Sequence, residues 1–412
     1  MTCLLYLLLL LSPLSSLLFG SVSAKVFVSI DCGSSLSSYT DKHSIEWVGD
    51  NLYIQNGETH NVTAPTIPGG WDVSHVMSTL RVFTTRKKNC YSIKADKGER
   101  VFVRASFFYG NYDKKSSPPT FNLHVDGNHW ARVTTAIDSL FYYEAVYTVK
   151  GNTVSICLAQ TQPGQLPFIS SLEIRSLDAG VYSHIDPEYP LFFGQRLGFG
   201  ANNITRYPDD AYDRIWLPSI VGNKSTKVTS KSRFIAVDGA EDNPPRSVLR
   251  TAITPLKPSE PLSLSSDFSS IQQPLYFNTY FSEVSKLNKT QKRSFQVYVN
   301  NIKTVNKTIT PPYGGALELR ITNVTALKNT SIILKRTSKS TLPPLINAIE
   351  VFIVGGKQTE GTNSSDVITL AVLQKSFIQL QDWRGDPCLP SPYTWDWVGC
   401  SSDLDNPRIT AL

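Results

Sequence analysis

Paired carboxylates come first among residues that could do chemistry, because two acids flanking a glycosidic bond suffice for its hydrolysis. The sequence offers Asp209-Asp210 and Glu241-Asp242. Adjacent side chains on a strand point to opposite faces and Asp is a common turn former, so neither pair reads as a hydrolytic dyad. The six histidines, at 43, 60, 75, 124, 129 and 184, lack metal-site spacing, no cysteine pair has zinc-site company, and a Gly-x-Ser-x-Gly elbow is absent. No catalytic residue, metal or cofactor is therefore expected. Recognition is the remaining chemistry. Sugars are held by aromatic faces stacked on apolar C–H surfaces, with a few polar groups fixing the hydroxyls. Tyr109, Tyr112 and Asp113 fall in a loop after a strand, and Trp130 follows a turn at Asp126-Gly127-Asn128. These four are the candidate ligand-binding residues, against the alternative that they only pack the rims of the fold. Tyr207, Tyr212 and Trp216 read as core or interface residues.

The elements that would hold these residues are strands. Phe121, Leu123 and Val125 alternate with their neighbours, as do Phe295, Val297 and Val299, and a period of two makes one face apolar. Val101 to Phe108 and Ser331 to Leu334 are also β-rich, with Pro, Gly, Asn and Ser clusters between runs. Many short strands without a long helical period predict a mainly β chain of antiparallel sandwiches. The pattern is written twice. Gly33, Tyr39, Trp47, Phe121 and Glu173 find counterparts in Gly200, Tyr207, Trp216, Phe295 and Glu350, at separations growing from 167 to 177 residues. Two copies of one domain, differing by small loop insertions, would produce that drift. The resulting division is a leader at 1–24, a first domain at 25–178, a linker at 179–189, a second domain at 190–355, an exposed linker at 356–365 and a C-terminal piece at 366–412. In that last piece Val367, Leu370, Leu373, Phe377 and Leu380 recur as on an amphipathic helix, with Ser365 or Asp366 as cap and Gly385-Asp386-Pro387 beyond its end.

Residues 1–24 carry no charge, an apolar run from Leu4 to Leu18 and a small-residue ending, the pattern of a secretory leader cleaved after Ala24. An uncleaved anchor is the alternative, although the run is short for a span. Sequons at Asn61, Asn203, Asn223, Asn288, Asn306, Asn323, Asn329 and Asn363 predict surface glycans. The net charge of +6 is spread along the chain, without the basic stripe that nucleic acid requires. Cys388 and Cys400 read as a local disulfide, which contributes on the order of 3 kcal/mol. Cys32, Cys90 and Cys157 form an odd set whose pairing stays open.

Longer motifs then carry a resemblance. Arg104-Ala-Ser-Phe-Phe-Tyr-Gly-Asn-Tyr112-Asp113, followed by Pro118-Pro119-Thr120-Phe121, resembles the first malectin-like domain of plant receptor-like kinases. Arg206-Tyr-Pro-Asp-Asp-Ala-Tyr-Asp-Arg-Ile-Trp216 is similar to the start of the second, and Ser340-Thr-Leu-Pro-Pro-Leu-Ile-Asn-Ala-Ile-Glu350 to its last strands. Trp383-Arg-Gly-Asp-Pro-Cys388, with Trp395, Trp397 and Cys400, resembles the junction into leucine-rich repeats in the group that includes symbiosis receptor kinases. The Arg384-Gly385-Asp386 tripeptide is then part of a capping turn, not an adhesion signal. The resemblance implies tandem malectin-like antiparallel β-sandwiches and a short helical leucine-rich-repeat N-terminal cap. It implies an extracellular ligand-recognition module whose partners are a cell-wall glycan or peptide and a co-receptor. Alternatives are a secreted decoy, a scaffold or dimerisation element and, of another class, a glycan hydrolase. Residues 406–412 resemble only the opening of a first repeat, and no kinase motif or later membrane span occurs in the 412 residues. The expectation is a truncated gene product, a splice form or a secreted protein, at the outer face of the plasma membrane if part of a longer receptor.

Overall fold

The computed structural model describes residues 25–66, 73, 75–219, 221–266, 272–303 and 307–412. The leader at 1–24 and the Asn306 sequon lie outside them. An 11-stranded sheet runs through the whole chain. From edge to edge its order is Ser38–Thr40, Glu46–Gly49, Phe27–Asp31, Ser171–Ser176, Arg100–Phe108, Leu140–Thr148, Leu191–Phe199, Ala348–Val354, Pro274–Phe281 and Leu317–Thr325, with Leu217–Ser219 added beside Leu191–Phe199. Strands up to Thr148 in that order come from the N-terminal half and the rest from the C-terminal half. The halves join where Ala145 pairs with Phe192 and Val146 with Leu191.

Each half adds a four-stranded sheet. In the N-terminal half it comprises Lys88–Lys94, Thr153–Gln160, Thr120–Val125 and Asn128–Thr134; in the C-terminal half, Leu262–Ser266, Thr330–Arg336, Phe295–Val299 and Ile302–Lys303. Period-two patterning sets the interior faces, since Phe121, Leu123, Val125, Phe295, Val297 and Val299 are all buried. One core packs Val101, Val103, Phe107 and Ile174 with Tyr91, Leu123, Ile156 and Leu158. The other packs Phe277, Ile321 and Val351 with Val297, Val299 and Leu334.

Arg100–Phe108 is buried along nearly its whole length because both of its faces are covered. Val101, Val103, Ala105 and Phe107 face the first core, whereas Phe102 and Phe108 meet residues from 181–216. The stretch at 179–189 is mostly exposed but anchored at two residues. Val181 and Tyr182 are buried, and the Tyr182 N–H donates to Asp242 Oδ1 at 2.6 Å.

The C-terminal piece returns to the N-terminal half. The strap at 356–363, expected to be exposed, has Gln358 and Thr362 buried, and the Thr359 N–H donates to Asn128 Oδ1 at 2.8 Å. The helix spans Ser364–Ser376, and its cap is Asn363, whose side chain accepts from the Ser365 N–H at 3.2 Å. This corrects the expectation of Ser365 or Asp366: an extended residue immediately before the first turn is the one whose side-chain oxygen reaches an orphan N–H. The expected apolar stripe is also only partly used. Leu370 is buried while Val367 and Phe377 are exposed, and Ile378–Leu380 is a separate 3-10 turn. After it, the Asp386 carboxylate accepts from the Cys388 and Leu389 N–H groups at 2.9 and 2.8 Å, closing the turn.

That turn docks on the outer face of the N-terminal four-stranded sheet. Lys88, 5% exposed, donates to the Asp386 and Leu389 carbonyls at 2.6 and 2.7 Å. Arg86 lies 4.2 Å over the Trp383 ring. Cys90 and Cys157, paired across adjacent strands, form a disulfide, while Cys32 is free and buried. Closing that 67-residue loop contributes about 4 kcal/mol in the chain-entropy account. Gly385 lies flat on this disulfide with φ +75°; a Cβ there would stand 2.5 Å from Cys90 Sγ. Cys388 and Cys400 form the second disulfide, as expected.

Gly385→Ala is expected to cost about 2–4 kcal/mol, combining left-handed strain with overpacking. The loss should appear as a lower denaturation midpoint with faster hydrogen exchange in the helix at 364–376. Exchange unchanged in that helix would show that the disulfide contact does not hold the piece in place.

Candidate functional site

The seam between the halves is crossed by a buried polar row. Cross-strand register places Ser29 beside Glu173, Glu173 beside Arg104, and Arg104 beside Glu144. On the other side Arg196 neighbours Glu350, Glu350 neighbours Asn278, and Asn278 neighbours Arg320. Arg196 bridges the gap, donating to Glu144 at 2.7 Å and to Glu350 at 2.7 Å. Residues 204–217 roof the row. Asp213 receives Arg206 at 2.7 Å and Arg104 at 3.3 Å, and Asp210 receives Arg214 at 2.9 Å. Tyr182 and Tyr280 each donate to Glu350 at 2.7 Å. Burying so many charges requires this degree of mutual satisfaction.

Next to the row, a cleft of about 860 Å³ opens between the halves. Trp130, Tyr142 and Tyr143 line it from the N-terminal half, and Phe192, Phe193, Pro274 and Val354 from the other. Tyr142 and Phe193 face each other across the seam with ring centroids 5.8 Å apart. Gly355 lies against Phe192, where a Cβ would come within 2.7 Å of the ring. Half-buried rings around a concave site suit apolar faces of a sugar or a peptide.

The four candidate ligand residues divide between two places. Tyr109 is fully buried and its hydroxyl donates to Asp113; Tyr112, half-buried, packs its ring 5.4 Å from Tyr109 and 5.0 Å from His60. These three form one knot behind the Gly110 turn. Trp130 stands apart, 6% exposed, packed in the first core and lining the cleft. Tyr142, Tyr143, Phe192 and Phe193 escaped the sequence reading. Their signal is the pair of aromatic runs Phe141-Tyr142-Tyr143 and Phe192-Phe193, which break strand alternation. Tyr212 and Trp216 are buried and Tyr207 packs on Phe27, as core and interface residues would. The acidic pairs point apart: Asp210 and Asp242 are buried, Asp209 and Glu241 exposed. No group of three or more metal-ligating side chains occurs among the described residues. Asn61, Asn203, Asn223, Asn288 and Asn329 are exposed; Asn363 is half-buried at its cap, and the Asn323 side chain lies outside the description.

A mainly β fold with an aromatic-lined cleft at its seam is thus defined by geometry, and the comparisons give it a family. Residues 30–354 match the Malectin-like domain, and the chain belongs to that family. An uncharacterized protein of Arabidopsis thaliana is 35% identical over 341 residues, covering 82% of this chain and 66% of that protein. A probable LRR receptor-like serine/threonine-protein kinase of the same plant is 33% identical over 401 residues, covering 94% of this chain and 45% of the kinase. The chain therefore spans about half the length of the receptor kinases it matches, and its 412 residues contain no kinase domain. Among solved structures, the ANX2 ectodomain from Arabidopsis thaliana shares the fold with a TM-score of 0.68 at 14% identity, covering 80% of this chain and 97% of that one. The plant receptor-like kinase FER does so with a TM-score of 0.67 at 20% identity, covering 80% and 96%. No helix among the described residues is long and apolar enough to cross a membrane.

Buried acids take opposite directions. Burial would raise Asp213, but Arg206 and Arg104 outweigh it and hold the carboxylate well below its usual range. Glu350 is lowered in the same way by Arg214 and Arg196 against its burial. Asp31 and Asp242, dominated by burial, are pushed up to about 7 and about 8. Burial lowers His124 to about 3. Raised acids contribute stability that is lost as pH rises through their folded values; His124 opposes them only below about 6.5, the range in which an unfolded histidine still charges. Stability should therefore fall between about pH 6.5 and 8, and Asp31→Asn should flatten part of that fall. Melting temperatures across this window test it, and a rise toward pH 8 would contradict it. Arg196→Met, which strips Glu144 and Glu350 of a shared partner, is expected to cost about 3–5 kcal/mol in denaturant titration. A loss below about 1 kcal/mol would mean that the row tolerates a missing charge.

Proposed function

We propose that this protein is an extracellular ligand-recognition module of the plant receptor-like kinase type, built as tandem malectin-like sandwiches with a leucine-rich-repeat cap. The observation that carries the proposal is the aromatic cleft at the joint, to which both halves contribute rings. In this reading the cleft takes a cell-wall glycan or a peptide, and a co-receptor can add to the complex. One solved neighbour, with a TM-score of 0.65 at 19% identity, is the plant peptide RALF23 in complex with FER and LLG2. That complex supports a peptide and a co-receptor as partner classes here. Exposed sequons and the leader pattern support a secreted glycoprotein, or the outer face of the plasma membrane within a longer receptor. A scaffold without a ligand is the second reading; the extent of the ionic seam favours it, since the seam fixes relative orientation without any ligand.

Binding to glycan arrays and peptide pull-downs with the ectodomain decides between them. Saturable binding is expected, weakened about tenfold or more by Tyr143→Ala or Phe193→Ala, because a stacked ring carries both area and geometry. Trp130→Ala should lower the melting temperature as well, since this ring also packs the core. Wild-type binding by both cleft variants would remove the cleft from the assignment, and no saturable ligand in either library would favour the scaffold.

A further inference from the structure

Contrary to the even spread expected, the positive charge is concentrated. Residues 217–349 hold 18 Lys and Arg against 7 Asp and Glu, a surplus of 11 where the whole chain has 6. From 218 to 240 the only acid is Asp238, against Lys224, Lys227, Lys231 and Arg233. In this basic region the turn Arg246–Leu249 buries Val248 and Leu249, which leaves Arg246 and Arg250 exposed on its outer side. The Arg250 guanidinium donates to the Ser232 and Arg233 carbonyls at 3.3 and 3.1 Å and so pins the loop beside it. Phe234 in that loop is 56% exposed, with the Arg246 guanidinium 4.6 Å from its ring centroid. A second ring, Tyr313, is 40% exposed next to Gly314, whose carbonyl accepts from the Ala236 N–H at 2.9 Å. Among the described residues no ion pair engages Arg233, Arg246 or Arg250. Two exposed rings and three guanidiniums without a carboxylate thus share one surface, held in place by backbone hydrogen bonds. The cleft lies elsewhere. Pro274 at one end of the Pro274–Phe281 strand lines it, whereas Tyr313 pairs with Glu283 beyond the other end, about 23 Å along the strand.

We propose that this patch docks an acidic protein segment in which Asp or Glu residues flank an apolar side chain. Guanidinium forks match carboxylates in geometry as well as in charge. Arginines and aromatic rings are also the side chains that carry most of the energy in protein interfaces. The surplus of positive charge around the patch speeds encounter with such a partner. The partner's carboxylates take Arg233 and Arg246, and its apolar side chain covers exposed surface of Phe234 and Tyr313. An oligouronate has comparable charge, but a sugar stacks on a ring face and Arg246 already covers one face of Phe234. The patch and the cleft are separate surfaces, so docking here does not depend on what the cleft binds.

Fluorescence anisotropy on the full chain tests the patch with a synthetic dodecapeptide in which Glu pairs flank one Leu, with Ser and Gly elsewhere. Its Gln-for-Glu counterpart and an oligouronate of equal charge run beside it. Saturable binding of the acidic peptide is expected, weakening as salt is raised. Phe234→Ala and Arg246→Gln should each weaken it about tenfold, as loss of an interface anchor does. Arg233→Gln should slow association more than it shortens the lifetime of the complex. Should Phe234→Ala fold poorly, Arg246→Gln decides alone. No saturable binding at millimolar peptide, equal binding of the Gln counterpart, or unchanged affinity in the folded variants would overturn the proposal. Tighter binding of the oligouronate would overturn it in favour of an anionic polymer. A dimer in sedimentation that Phe234→Ala dissolves would overturn it in favour of a second copy of this chain.

Discussion

A charged row that water cannot reach constrains everything else in this molecule. Arg104, Arg175, Arg196, Arg206 and Arg214 are all buried, and so are Glu144, Glu173, Asp210, Asp213 and Glu350. Desolvation removes much of what such pairs gain, so their contribution to net stability over an apolar core is small. Their contribution to alignment is large. A slip of one residue between the Leu140–Thr148 and Leu191–Phe199 strands would move Glu144 to the opposite face and leave Arg196 without it. Only two residue pairs join those strands. The row and its roof, rather than backbone pairing, therefore set how the halves meet, and with that the shape of the cleft beside them.

The outer faces of the two halves are not equivalent. In the C-terminal half, the outer face of the four-stranded sheet keeps Gln296 and Tyr298 half-exposed and Lys335 exposed. The matching face of the N-terminal half buries Lys88, Cys90 and Cys157 beneath the Gly385-Asp386 turn, and His124 beside the Tyr393 ring. A lysine held only by backbone carbonyls loses hydration, and burial accordingly lowers Lys88 to about 8. Such a face requires a cover that brings its own hydrogen-bond acceptors, and the carbonyls of Asp386 and Leu389 supply them. The C-terminal piece thus bypasses the half that precedes it in sequence. It docks on the half that carries the disulfide.

Much of the fold was legible from local pattern. Period-two runs marked Phe121–Val125 and Phe295–Val299 as strands with correct inward faces, because alternation is a property of the backbone alone. Glu173 and Glu350, singled out in the sequence, each stand opposite an arginine on a neighbouring strand, Arg104 and Arg196. The candidate site was less legible. Tyr109 and Trp130 were recognisable as aromatic residues at turns, but whether a ring faces a core or a cleft depends on strands far away in sequence.

What the sequence determined by itself was whatever rests on neighbours along the chain: strand periodicity, the Cys388–Cys400 loop and the turn at Gly385-Asp386-Pro387. Tertiary structure decided which cysteine stays unpaired, which acids are ionised and which aromatics line a cavity. It also decided that the strap and helix lie on the N-terminal half. Each of these turns on burial, and burial is fixed by which distant surfaces meet and exclude water, a quantity no local pattern encodes.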